Sequence, residues 1–342
     1  MITSQLFGTT KEGSEIKKFT LKNKNNFEIH LLSYGLTIQK ILYPISGNLT
    51  QDIVLGFDSL KEYEENQLYL GCIVGRNANR LSNGTIIIDD KEIQLTQNED
   101  KKQLHGGFNG FDKKSWNCVV KHNRVIATYI SPHLEEGFPG KLTTVVTFEL
   151  TDDNELKINS SATTSEATVV NLTRHDYFNL KDAGLTDSRS HLIQVNGDAY
   201  NPTNKDSLVT GEITSVTNTP YDLRNPTIIK NQMDTYKELL PMGFDNNYAV
   251  NADKNLKSVA KAIEPESGRS LEILSTQPGI QFYTAAYVNN IYGKYGAVYN
   301  PYHGFCLETQ HFPDATKHLT FSSTIITPET PYSQYLIYKF TS

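Results

Sequence analysis

Along most of the chain, apolar and polar residues alternate with a period of two, the pattern of strands that bury one face and wet the other. Phe27 to Leu32, Val125 to Ile130 and Leu142 to Leu150 follow it. So do Thr85 to Asp89, turning at Asp90-Lys91 into Glu92 to Thr96, and Leu156 to Ser161 after the turn residues Asp152-Asp153-Asn154. The same pattern predicts strands at Leu70 to Val74, His191 to Val195, Leu256 to Ile263, Ser270 to Leu274, Ile280 to Tyr287, Phe305 to Gln310, Thr320 to Ile326 and Tyr332 to Phe340. Helical spacing is confined to Ser59 to Gln67, with Ser59 as cap, and Thr227 to Tyr236. No strands alternate with long helices, no repeat recurs, and no Pro/Gly/Ser linker divides the chain. The expected fold is mainly β, one large antiparallel β-sandwich domain over residues 1–342 with few short helices.

Within this pattern the stretch Asn171-Leu172-Thr173-Arg174-His175-Asp176-Tyr177-Phe178-Asn179-Leu180 stands out. In a strand, His175, Tyr177 and Asn179 share one face, with Phe178 and Leu180 on the other. Arg174 and Asp176 point away from the imidazole and are placed to pair beneath the strand. An imidazole and a phenol on a rigid element can move protons if a carboxylate lies opposite. Glu308 is that candidate: in Gly304 to His311, Phe305 and Leu307 alternate with Cys306, Glu308 and Gln310. A carboxylate set among apolar residues is a base whose pKa burial raises.

Other segments carry weaker signals. Gly75-Arg76-Asn77-Ala78-Asn79-Arg80 offers amides and guanidinium groups suited to hydroxyl recognition, although a surface turn would look the same. The glycines of Leu104-His105-Gly106-Gly107 let the backbone approach closely around His105. Asp245, in Gly243-Phe244-Asp245, reads as an ordinary turn acid. Gln281 and Tyr283 fall on one strand face. Glu135 and Glu136, before Gly137-Phe138-Pro139-Gly140, read as solvated loop acids. His303, Cys306, Glu308 and His311 match no zinc spacing, and alternation separates the histidines from the other two, so no metal is expected. His30, His122, His133, His191 and His318 lie in no motif and are assigned structural or surface places.

The 342 residues exceed what one core requires, and a net charge of −6 with scattered cations leaves no footprint for nucleic acid. Cys72, Cys118 and Cys306 cannot form a disulfide framework, which fits a reducing, cytoplasmic location. No stretch approaches the ~20 apolar residues of a membrane span, and Met1 to Thr20 lacks a signal-peptide core.

Taken in order, Gly-Arg-x-Ala-Asn-Arg, Leu-His-Gly-Gly, Glu-Gly-Phe-Pro-Gly, Asn-Leu-Thr-x-His-x-Tyr-Phe-Asn-Leu, Gly-x-Asp, Pro-Gly-Ile-Gln-Phe-Tyr-Thr and Leu-Glu-Thr-Gln-His-Phe-Pro-Asp resemble the aldose 1-epimerase family, the galactose mutarotases, from about Gly56 to the C-terminus. The resemblance implies a β-sandwich with an open sugar cleft that interconverts the α and β anomers of free aldoses without a cofactor. It implies Glu308 as the general base on the C1 hydroxyl and His175 as the general acid on the ring oxygen. Asn79, Arg80, His105, Asp245 and Gln281 match positions that hold the sugar, and Tyr177 is expected to line the cleft. The implied partner is a small sugar, with the protein a monomer or homodimer. Arg174, Asp176, Asn246 and Ala285-Ala286 depart from the usual pattern and bear on substrate preference. A sandwich that binds sugar without turnover and an epimerase of hexose 6-phosphates or disaccharides such as maltose are the alternatives. The first would lack Glu308 or His175; the second would need extra cations for a phosphate.

Overall fold

Alternation in the chain becomes three main antiparallel sheets, with smaller two-stranded ones beside them, around one apolar interior. The computed structural model describes residues 1–46, 49–250 and 255–342. Ile2–Thr9, Glu15–Lys22, Glu28–Leu32, Ile38–Pro44 and Thr50–Asp52 pair in chain order as a meander. A nine-stranded sheet runs Asn117–Lys121, Arg124–Ser131, Leu142–Leu150, Glu155–Thr164, Tyr332–Thr341, Ser270–Ser275, Lys257–Ile263, Leu192–Val195 and Thr227–Ile228. The C-terminal strand therefore closes the middle of this sheet. Its buried and open positions alternate along the whole length, as they do in Leu142–Leu150.

A six-stranded sheet carries Tyr177–Phe178, Phe305–Gln310, Gly279–Tyr283, Asp245–Val250, Gly197–Tyr200 and Thr214–Ser215 in that order. One face supplies Phe178, Tyr248, Ile280, Phe282, Phe305 and Leu307 to the core. There they join Phe148, Ile158, Ile273, Leu336 and Tyr338 of the nine-stranded sheet and Phe19, Ile29 and Ile41 of the meander. Burial of each such side chain is worth about 1.5–3 kcal/mol, so this face fixes the sheet's orientation. The other face is left for polar residues.

The strand reading holds in most places and fails at defined ones. The hairpin turn falls at Asp89-Asp90, where both residues take positive φ (50° and 59°), and not at Asp90-Lys91. The strand starting at Gly279 ends at Tyr283, because Ala285 has φ 54° and the Thr284 hydroxyl accepts the Phe244 N–H at 3.0 Å. Of Thr320 to Ile326 only Ile325–Ile326 is a strand, paired with Thr168–Val169. Thr227–Ile228 is an edge strand, and the helix occupies Ile229–Thr235. The other helix is Leu60–Glu65, entered through Ser59, whose N–H and hydroxyl both donate to Glu62 Oε2. No helix among the described residues is long and apolar enough to cross a membrane.

Arg174 and Asp176 pair beneath the strand, as alternation requires. Arg174 Nε and Nη2 donate to the two carboxylate oxygens of Asp176 at 3.1 and 2.7 Å, and the guanidinium also reaches the carbonyls of Leu36 and Gly71. The Tyr338 hydroxyl donates to Asp176 Oδ2 at 2.9 Å, tying this segment to the nine-stranded sheet. Both charged side chains are almost wholly buried. Asp176→Ala leaves the guanidinium unpaired in the interior and is expected to lower unfolding stability by about 3–5 kcal/mol. A urea denaturation showing a loss under ~1 kcal/mol would contradict this account.

Candidate functional site

Strand register assembles the site. Tyr177 lies opposite Cys306, and continuing that register two residues outward brings His175 opposite Glu308. On its other side Glu308 pairs with Gln281 and Cys306 pairs with Tyr283, while Tyr283 in turn faces Asp245. Side chains two residues apart share a face, so these two cross-strand rows make one polar floor. His175 itself sits between the short strands Thr173–Arg174 and Tyr177–Phe178. Its N–H donates to the Cys72 carbonyl and its carbonyl accepts from Gly71, which holds the backbone fixed.

The floor opens into a cleft that holds about 670 Å³ of empty space, open solvent included. Asn79, Arg80, His105, His175, Tyr177, Asp245, Gln281 and Glu308 all line it. Their work differs. Gln281 Nε2 donates to Asp245 Oδ1 at 2.7 Å. The Tyr177 hydroxyl is spent on the Leu68 carbonyl at 2.9 Å, and its ring stacks on His175 with centroids 5.0 Å apart. Asn179, expected beside them, turns away: its amide holds the carbonyls of Thr186 and His303, because the strand has ended at Phe178. Arg76 also leaves the site, its buried guanidinium donating to Ser131, Pro132 and Pro139.

Among the cleft residues that escaped the sequence reading, two touch the site's working groups. Tyr69, with φ 57°, packs against His105 at 4.7 Å and stacks on the face of His175 opposite Tyr177, at 5.8 Å. Glu99 accepts Arg80 Nε and Nη2 at 2.8 and 2.9 Å and so orients the guanidinium. Neither stands in a pattern: Tyr69 precedes a buried strand by a turn, and Glu99 lies in a polar loop. Glu135 and Glu136 are the opposite case, expected in solvent but engaged. Glu136 accepts the backbone N–H groups of Phe108 and Asn109, pinning the loop after His105. Glu135 accepts from Tyr129 and Lys114.

His105 is presented by a loop whose glycines are required. Gly106 has φ 88°, and a Cβ there would lie 2.0 Å from the Gly75 carbonyl oxygen. The Asn79 N–H donates to His105 Nδ1 at 3.2 Å, so the neutral ring carries its hydrogen on Nε2. His105, His175 and Glu308 each offer a ligand atom, all within 4.8 Å of one another. A cation at His105 Nε2 would move the hydrogen to Nδ1, facing the Asn79 donor. The trio is therefore built for hydrogen bonding to a ligand more than for a metal. His303 and His311 lie elsewhere, against Gly184 and Ser322.

Burial sets the protonation of the site. The Glu308 carboxyl is driven well above its usual range by desolvation, with Asp245 and Asp176 adding to it. Desolvation takes the His175 imidazole down to about 4. His105 is likewise pushed well below its usual value by burial, with His175 and Arg80 contributing. Asp245 is raised by burial against the pull of Arg80. Glu308 Oε1 and His175 Nε2 stand 3.7 Å apart, and burial favours the protonated form of the one and the neutral form of the other. Such a pair can take a proton from one ligand oxygen and deliver one to another.

Residues 17–339 match the family model described as aldose 1-epimerase. The chain is 38% identical to galactose mutarotase of Rattus norvegicus, over 99% of this chain and 98% of that protein. It is 30% identical to aldose 1-epimerase of Escherichia coli, over 96% of both. Among solved structures it is similar to an aldose epimerase homologue from C. elegans, with TM-score 0.87 and 29% identity over 94% of this chain and 98% of the other. A galactose 1-epimerase from Lactobacillus acidophilus has TM-score 0.86 at 22% identity over 100% and 98%, and shares the fold.

Gly106→Ala meets both the positive φ and the Gly75 carbonyl, and is expected to destabilise the protein by more than ~1 kcal/mol while weakening ligand binding through His105. Thermal unfolding together with ligand titration tests it; an unchanged Tm and affinity would show that the loop does not need glycine.

Proposed function

The chain belongs to the aldose 1-epimerase family and interconverts the anomers of aldoses, and we propose that galactose and glucose are its sugars, opened and reclosed by Glu308 and His175. The observation that carries these roles is the geometry, a buried carboxyl and imidazole 3.7 Å apart in one cleft. Burial favours the uncharged pair, so the reactive arrangement, Glu308 ionised and His175 protonated, is the less populated placement of the same single proton. Opening a hemiacetal removes a proton from O1 and adds one to the ring oxygen. Glu308 takes the O1 proton as the C1 to ring-oxygen bond breaks and the C1 carbonyl forms. His175 Nε2 gives its proton to the departing ring oxygen. Rotation about C1–C2 and the reverse transfers close the other anomer.

The pair thus holds one transferable proton throughout, on His175 with the ring closed and on Glu308 with the chain open. A dry site disfavours the buried ion pair of the closed stage relative to the uncharged pair of the open stage. Burial accordingly supports the intermediate. Asn79, Arg80, His105, Asp245 and Gln281 are placed to hold hydroxyls, with His105 Nε2–H as a donor. A phosphorylated sugar fits poorly: the described lining offers Arg80, already held by Glu99, against the carboxyl groups of Glu99, Asp245 and Glu308. We further take the chain to act as one domain, since one core joins all three main sheets, and to work in the cytoplasm, where its three free cysteines are stable.

Polarimetry on freshly dissolved α-D-galactose and α-D-glucose tests the assignment. The protein should speed anomeric equilibration, and Glu308→Gln or His175→Asn should each slow it by ~10² or more, about 2.7 kcal/mol of barrier. No acceleration on either sugar, with binding intact, would favour a sugar-binding role. The pH profile of kcat/KM should be a bell. Its acid limb lies near about 4, where His175 gains a second proton for the pair, and its alkaline limb lies well above 4.5, where Glu308 loses the last one. Activity that stays flat from pH 3 to 10 would remove the shared-proton mechanism.

A further inference from the structure

We propose that Tyr69 and Tyr177 are positioning residues: they clamp the His175 ring between two phenol faces and stabilise its protonated form, the form that delivers a proton to the ring oxygen of the sugar. The inference rests on the acid role given to His175 above. The two phenol rings lie nearly parallel to the imidazole, tilted by 29° and 28°, with centroids 5.8 and 5.0 Å away. Both distances fall within the ~6 Å over which the negative face of an aromatic ring attracts a cation. A neutral imidazole packs there too, but only the imidazolium gains from the ring quadrupole, so the clamp acts on the difference between the two proton states. Desolvation pulls the other way, taking His175 down to about 4.

Clamp and imidazole are built as one unit. Tyr69, at φ 57°, opens a turn in which the Cys72 N–H donates to the Tyr69 carbonyl at 3.3 Å. The same turn holds the His175 backbone: the Cys72 carbonyl accepts its N–H at 2.9 Å, and the Gly71 N–H donates to its carbonyl at 3.0 Å. The Tyr177 hydroxyl donates to the carbonyl of Leu68, the residue before Tyr69, so one wall of the clamp is tied to the other. With that hydroxyl engaged, Tyr177 presents its face to His175. Around the edge of the imidazole stand Glu308 Oε1, 3.7 Å from Nε2, and Cys306 Sγ, 3.5 Å from Nδ1, with the rings of His105 and Tyr283 at steep angles. Arg80 and Asp245 line the same cleft, and Asp176 is paired with Arg174 beneath the strand. Glu308 is the proton partner itself, and burial keeps the Cys306 thiol uncharged. Burial likewise holds both phenols in their protonated form, so the two faces support the imidazolium without entering the proton exchange.

The test uses the full-length protein with Tyr69→Phe, and with phenylalanines bearing one, two or three ring fluorines at position 69, because fluorine drains the face of the ring while leaving its shape nearly the same. Tyr69→Phe should keep kcat on galactose within about twofold of the wild type, and successive fluorines should lower it stepwise, by about tenfold at three. The acid limb of the kcat/KM profile should move to lower pH along the series, since a weaker face leaves the imidazolium less favoured, while the alkaline limb, set by Glu308, stays in place. A flat series overturns the proposal, and so does a loss of kcat with the acid limb unmoved, which is what loosened packing alone would give. The ¹⁵N titration of His175 in histidine-labelled protein, its signals identified by their loss in His175→Asn, reads the clamp apart from activity: its midpoint should fall along the same series. A midpoint that does not move overturns the clamp whatever the activity. A wild type that fails to accelerate mutarotation, in a series whose midpoint does fall, leaves the clamp standing and removes the acid role instead.

Discussion

A carboxyl group kept dry between two strands is the constraint around which this protein is organised. Glu308 lies in the middle of Phe305–Gln310, every residue of which is buried. Its neighbours in register, Gln281 on one side and the extension to His175 on the other, come from strands that cannot slip. A slip of one residue would exchange Glu308 with Leu307 and put the carboxyl in the core, which the apolar face of Ile280, Phe282, Phe305 and Leu307 forbids. The same packing that fixes the sheet therefore fixes the distance between Glu308 and His175.

Supports for the site are structural charges, spent away from the ligand. The Arg174–Asp176 pair and the Tyr338 hydroxyl anchor the His175 segment to the nine-stranded sheet, and Asp176 adds its field to the burial that raises Glu308. Glu136 clamps the loop that presents His105, and Glu99 aims Arg80. Rotamers locked in this way leave little entropy to lose when a ligand arrives. Tyr69 and Tyr177 act likewise, holding one imidazole between two phenol rings.

Much of this was legible in the chain because strand alternation is a local code. It placed Glu308 with Cys306, Gln281 with Tyr283, and His175 with Tyr177, and it separated Arg174 and Asp176 from the imidazole. It misled at Asn179, where the strand had already ended, and in Ile280 to Tyr287, where a left-handed Ala285 breaks the extended chain. Partners that meet only through the fold left no trace: Glu99 for Arg80, 19 residues apart, Tyr338 for Asp176, 162 apart, and the carboxylate of Glu136 for two loop amides. Most of the meander at residues 2–52 was also unread, since only Phe27 to Leu32 shows clear alternation there: Ile2–Thr9 is largely polar, Glu15–Lys22 is Lys-rich, and Ile38–Pro44 breaks alternation at Gln39-Lys40 and Ile41-Leu42.

The charge state of the site and the neutrality of the sugar are linked by the same desolvation. With Glu308 and Asp245 both raised and His105 and His175 both lowered, burial has pushed each of these groups toward its uncharged form. Arg80 keeps its charge through its bidentate pair with Glu99. Such a site offers donors and acceptors without a strong field, which suits a ligand made of hydroxyl groups that must be held alike in two anomers and in the open chain. A strong local charge would favour one proton distribution and trap the sugar at one stage. A reaction whose two directions are chemically the same is served by a pair that shares one proton and can shift it either way, and two groups held side by side on a rigid sheet supply that condition with no metal or nucleophile in the steps.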